Sequence, residues 1–184
     1  MNDEEKFEFE IFQTAVHEAG HVLVAWKLGL DVESAALSID DETSGRTLIV
    51  PSKRLNDRDN IYSIVENCRS VEKRVRICYA GPIAERRFAG DRLNVFAANK
   101  DFERGLFMLR ECGDTHAERE RISDFLHART EKLIQRNWEK IMMLAKELVA
   151  QGEICSAQIE LILGPQSMEF ECAARLNPSN QRAG

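Results

Sequence analysis

The stretch that decides how this chain is read runs from Asp3 to Leu28: Asp-Glu-Glu-Lys-Phe-Glu-Phe-Glu-Ile-Phe-Gln-Thr-Ala-Val-His-Glu-Ala-Gly-His-Val-Leu-Val-Ala-Trp-Lys-Leu. Phe9, Phe12, Val16, Leu23 and Trp26 recur at helical spacing, which predicts a helix over residues 3 to about 28. Asp3 is the expected cap, acidic residues fill the first turn where the helix dipole favours them, and Leu28-Gly29 supplies the stop. Inside this helix lies His17-Glu18-Ala19-Gly20-His21. Residues four apart share a helix face, so His17 and His21 can present two imidazoles to one cation. Glu18 stands one step aside, able to reach a metal-bound water without being a ligand. That is the residue pattern a zinc hydrolase needs. Composition alone would place H-E-x-x-H in about 1% of such chains, so the motif is informative.

Outward from this helix, residues 32–39 alternate, with Ala35, Leu37 and Ile39 on one face. Turn chemistry follows at Asp40–Gly45, then the β-rich run Thr47-Leu48-Ile49-Val50, ended by Pro51. A small hairpin or short sheet is expected near 32–50. From about 57 the helical period returns through Ile61, Ile64, Val65, Cys68, Val71, Val75, Cys78 and Tyr79. Gly81-Pro82 should kink or restart that helix, because proline has no N–H for the carbonyl four residues back. A further helix is predicted over about 97–112. Thr115-x-x-Glu118 then forms a capping box for one long helix to about Ala150, with Ser156 capping a last short one. The expected class is mostly α with a small β element, as one domain over residues 1–165 and a partly disordered tail over 166–184.

Composition narrows the function. The chain has 184 residues, 25 basic against 31 acidic, and a formal charge of −6. Net acidity argues against nucleic acid as a partner. No apolar stretch approaches the ~20 residues that span a bilayer, and the acidic first ten residues do not resemble a signal peptide, so the cytoplasm is the expected location. Cysteines 68, 78, 112, 155 and 172 form no C-x-x-C pair, and no P-loop sequence occurs.

A catalytic zinc needs a third protein ligand and one open position. The pattern H-E-x-x-H-x-x-G-x-x-H would require Gly at 24 and His at 27, where the chain has Val24 and Lys27. The remaining candidates are Glu85, Asp91, Asp101, Asp114, Asp124, His116 and His127. Asp101 is attractive in the first turn of its helix, although a first-turn carboxylate also has an ordinary role beside the helix dipole. Gly20, costing about 1 kcal/mol relative to Ala in a helix interior, suggests close approach of another backbone, with the Gly81 region as the opposing surface.

Thr14 to Ala25 resembles the zinc helix of the FtsH-type ATP-dependent proteases. Ser44-Gly45-Arg46-Thr47 is similar to that family's glycine-containing strand entry, and Tyr79–Glu85 to its Gly-Gly-x-x-Ala-Glu helix. Ala98-Asn99-Lys100-Asp101-Phe102 resembles the Ala-x-x-Asp-Leu segment, and the resemblance covers roughly residues 10–165. It implies a zinc endopeptidase of unfolded polypeptides, with Zn2+ held by His17, His21 and Asp101 and with Glu18 as general base. It also implies that Arg46, Thr47, Leu48 and Ile49 lie along a strand edge that pairs with the substrate backbone. The sequence departs from the family at Ala80, Pro82, Ala97 and Gly105. The family's ATPase module and membrane segment have no counterpart in these residues, so a separate ATPase is an expected partner and homo-oligomerisation is left open. The alternative is a metal-binding adaptor or regulator with little hydrolysis, using Phe125 and Trp138 on the last long helix as its working face.

Overall fold

The computed structural model describes residues 2–38, 44–50, 71–92, 95–112 and 115–166. The expected helical turns at Ile61, Ile64, Val65 and Cys68, the turn at 40–43, and the tail from 167 lie outside them. As predicted, the fold is mostly helical with a small antiparallel sheet.

Helix α1 spans Asp3–Lys27. Its cap is Asn2 rather than Asp3: the Asn2 Oδ1 accepts from the Glu5 N–H at 2.7 Å, and Glu5 returns a bond to the Asn2 N–H at 3.0 Å. This reciprocal box satisfies two orphan donors that an Asp3 cap would leave shifted by one residue. At the other end Gly29 takes φ +75°, the left-handed conformation that stops the helix where the sequence predicted. Every residue from Ala15 to Trp26 is buried. A single stripe would not require this; α1 is enclosed on all sides, which explains the apolar run Val22–Trp26 around a motif of charged residues.

Three strands, β1 (Asp31–Ser38), β2 (Ser44–Val50) and β3 (Glu153–Cys155), form an antiparallel sheet in the order β2-β1-β3. β3 is only three residues long, with Ile154 alone buried, and is an addition to the predicted hairpin. A register shift between Val32 and Ser34 lets both Val32 and Ala35 turn inward. One cross-strand row, Thr47–Ala35–Ile154, is fully buried at all three positions.

Helix α2 (Val71–Ala89) is continuous through Pro82, so the dipeptide Gly81-Pro82 does not restart it. Packing of its buried face against α1 outweighs the lost backbone donor. α3 (Val95–Met108) continues as a 3-10 turn over Leu109–Glu111. The capping box Thr115/Glu118 opens α4 (His116–Arg136) as predicted. The expected single helix to Ala150 is, however, two helices. Asn137 breaks it, its side-chain amide donating to the Leu133 carbonyl at 2.9 Å, and α5 (Trp138–Gln151) begins beyond. The break lets α4 pack on α2 while α5 packs on α1. In α6 (Ser156–Leu163) the cap is Cys155, whose N–H is held by the Gln158 side chain at 2.8 Å, and Ser156 is the first helical residue. Trp26 Nε1 donates to the Gly164 carbonyl at 3.1 Å, and Gln166 donates to the Leu30 carbonyl at 2.8 Å, pinning this end of the chain to the end of α1. Among the described residues no helix is long and apolar enough to cross a membrane.

The α1–α2 contact is the tightest feature. A Cβ on Gly20 would lie 2.7 Å from the Ala80 carbonyl oxygen and 2.8 Å from the Ala84 Cβ. The obstacle is backbone, which cannot swing aside. Gly20→Ala therefore destabilises the protein by roughly 1–3 kcal/mol in urea unfolding, even though alanine is the better helix former; a stabilised variant would refute the close contact.

Candidate metal centre

His17 and His21 project from adjacent turns of α1 toward Gly81 on α2. A Cβ at Gly81 would stand 2.5 Å from both Nε2 atoms, so only glycine leaves the imidazoles their place. Asp101, in the middle of α3 rather than its first turn, completes the group. His17 Nε2 lies 3.0 Å from Asp101 Oδ2, His21 Nε2 3.3 Å from the same oxygen, and the two Nε2 atoms 3.1 Å apart. These are the three donors among the described residues that converge as a metal-holding group.

The outer nitrogens are held as firmly. His21 Nδ1 donates to the Ile77 carbonyl at 2.8 Å, and His17 Nδ1 donates to Glu85 Oε2 at 2.8 Å. A carbonyl or carboxylate can only accept, so both Nδ1 atoms carry the proton and a neutral ring turns its Nε2 lone pair to the centre. Glu85 is anchored in turn: its Oε1 accepts from Gln13 Nε2 at 2.5 Å, and that amide also reaches the Arg92 carbonyl at 3.0 Å. Such second contacts fix the orientation of metal-binding imidazoles.

The geometry fits a cation. A tetrahedral site with bonds of about 2.0–2.1 Å has edges of roughly 3.3–3.4 Å between donors, close to the spacings seen. A cation held by these three donors would have one corner left for water or a reacting group. Without a cation, burial by itself would lower the His17 pKa. Hydrogen bonds to Asp101 and Glu85, with the charges of Asp101 and Glu18, more than offset this and push it up to about 10. Burial would raise Asp101, but its bonds from His17 and His21 hold it well below the usual carboxylate range. A proton on His17 thus fills part of the role a cation would take.

Glu18 is buried beside this group. Its Oε2 accepts from Thr47 Oγ1 at 2.5 Å. Thr47, expected to contact substrate, turns its hydroxyl inward to α1, while the backbone of Arg46, Thr47, Leu48 and Ile49 lies in β2, at the sheet edge among the described residues.

The other candidate ligands are elsewhere. Glu85 touches His17 from behind, Asp91 and Asp124 are exposed, His116 sits in solvent beside Glu120, and His127 packs against the Tyr79 and Phe102 rings. Asp114 lies outside the described residues. The sequence also holds an E-x-x-x-D stretch, the pattern in which thermolysin-like sites carry a third ligand, but Glu120 and Asp124 are exposed on α4 and supply none. Sequence reasoning missed the roles of Gln13 and Ile77; neither has a spacing signal, since a backbone carbonyl and a neutral amide are recognisable only by contact.

Because metal must displace the His17 proton below about pH 10, uptake releases about one proton and the affinity falls roughly tenfold per pH unit of acidification. Calorimetric titration in buffers of different ionisation enthalpy reads this directly, and pH-independent uptake would contradict it. Glu85→Gln, which removes the charge behind His17, lowers metal affinity about 10–100-fold in the same titration while the far-UV spectrum stays unchanged.

No family model matches the chain and no curated protein matches it.

Proposed function

We propose that the chain is a zinc-dependent metalloendopeptidase acting on peptides or unfolded polypeptides. The observation that supports it most is the convergence of His17, His21 and Asp101 at near-tetrahedral spacing with the buried carboxylate of Glu18 one residue along the same helix. Two nitrogens and one carboxylate oxygen, with one open corner, suit zinc in a hydrolytic site. When bound, zinc polarises the scissile carbonyl and lowers the pKa of a water at the open corner to about 7.

In this reading His17, His21 and Asp101 bind the cation, and Glu85 and the Ile77 carbonyl keep both rings in the productive tautomer. Glu18 accepts the proton of the attacking water and delivers it to the departing amine. β2 is an edge strand among the described residues, paired with β1 on one side, so an extended substrate can add its backbone to the other. Substitutions along Arg46–Ile49 that spoil that edge then raise KM for polypeptides. Edge pairing needs an unfolded segment. Folded substrates therefore require a separate ATPase partner, and the cytoplasm is the proposed location.

The rival reading, a metal-holding adaptor, gains little from the surface it would use. Arg129 covers the Phe125 ring at 5.2 Å and Arg87 covers Trp138 at 4.9 Å, so each ring already has a partner. Purified protein is expected to contain about one zinc and to cleave unfolded casein in a chelator-sensitive way. Glu18→Gln lowers kcat by about 10²–10⁴ with metal content intact, whereas His17→Ala and Asp101→Ala lose metal and activity together. Metal without any Glu18-dependent cleavage would favour the adaptor.

A further inference from the structure

Thr47 presents a problem of residue choice. It is the edge member of the buried row Thr47–Ala35–Ile154, and its side chain is 0% exposed. A β-branched side chain suits that place in a strand, and valine would fill it with the same shape and no hydroxyl to satisfy. The hydroxyl is nevertheless used: Oγ1 lies 2.5 Å from Glu18 Oε2 and 3.4 Å from the Glu18 carbonyl oxygen. The carboxylate of Glu18, a residue 6% exposed, receives no other hydrogen bond from the described residues. A buried carboxylate with one donor owes its orientation to that donor, and a hydrogen bond to an ionised group is among the strong ones.

We propose that Thr47 is a positioning residue, which holds the Glu18 carboxylate and thereby ties the orientation of the general base to strand β2. The proposal rests on the peptidase reading above and deepens it. α1 sets where the Glu18 backbone stands, but a glutamate side chain has three rotatable bonds and α1 does not choose among them. Thr47 makes that choice from the opposing element. Because β2 is the edge strand among the described residues, a polypeptide pairing with its outer side would be registered by the same strand that orients the base. Substrate backbone and carboxylate then share one frame, and relative placement is what converts a nearby base into an effective one.

Two measurements test this. In metal-loaded protein, Thr47→Val keeps the shape and removes the donor; kcat should fall roughly 10- to 100-fold with KM and zinc content nearly unchanged. Thr47→Ser restores the hydroxyl and should recover most of the loss. An unchanged kcat in Thr47→Val, or an equal loss in both variants, overturns the proposal. In metal-free protein, Thr47→Val should lower the urea midpoint in the natural background and leave it unmoved in a Glu18→Ala background. Equal shifts in the two backgrounds would mean that the hydroxyl does not act through Glu18. This second cycle needs no turnover. If the wild-type protein shows no chelator-sensitive hydrolysis, the peptidase reading fails while the cycle still decides whether Thr47 holds Glu18.

Discussion

The close crossing of α1 and α2 governs this structure. At Gly20 the two helices meet backbone to backbone, with the Ala80 carbonyl where a side chain would begin. One turn along, Gly81 leaves the space in which both Nε2 atoms sit. Each glycine costs about 1 kcal/mol in helix propensity relative to alanine, yet together they let two imidazoles lie between helices at interior packing density. A wider crossing would carry Ile77 and Glu85 away from the Nδ1 atoms they hold. The donor group is thus a product of interhelical distance as much as of side-chain identity.

That crossing buries charge in the centre of the molecule. Glu18, Glu85 and Asp101 are all buried within reach of two imidazoles, surrounded by the apolar remainder of α1 and α2. Such a cluster is tolerable only if each group has a partner. The partners are all present: Thr47 for Glu18, Gln13 and His17 for Glu85, and both imidazoles for Asp101. Three carboxylates against two neutral rings still leave an excess of negative charge, which explains why the His17 proton is held so tightly. A divalent cation would answer the same excess more completely, taking the place of that proton among the two Nε2 atoms and Asp101.

Much of the local structure is legible in the residues themselves. The Thr115/Glu118 box, the Gly29 stop and the face shared by His17 and His21 depend on interactions within one or two turns. Misread elements have local reasons too. Asn2 and Asp3 are both good caps, and the reciprocal bond with Glu5 decides for Asn2. The apolar stripe of the last long helix carries on past Asn137, so periodicity has no means of showing the break there. Gly81-Pro82 signals an interruption, yet the helix persists because its flanks are packed.

From the sequence alone came the presence of two imidazoles and a carboxylate on one helix, since their spacing is a property of the α-helix and needs no neighbour. Local reading found Asp101 attractive but left Glu85 and five other residues open as the third ligand; resemblance made Asp101 the choice. The tertiary structure separates them: Asp101, 84 residues from His17, faces the Nε2 side, whereas Glu85, 68 residues away, holds Nδ1 from behind. It also turns Thr47 from a strand residue into the donor that holds Glu18. These assignments depend on which atoms of distant segments come within 3 Å, and chain order carries no information at that range.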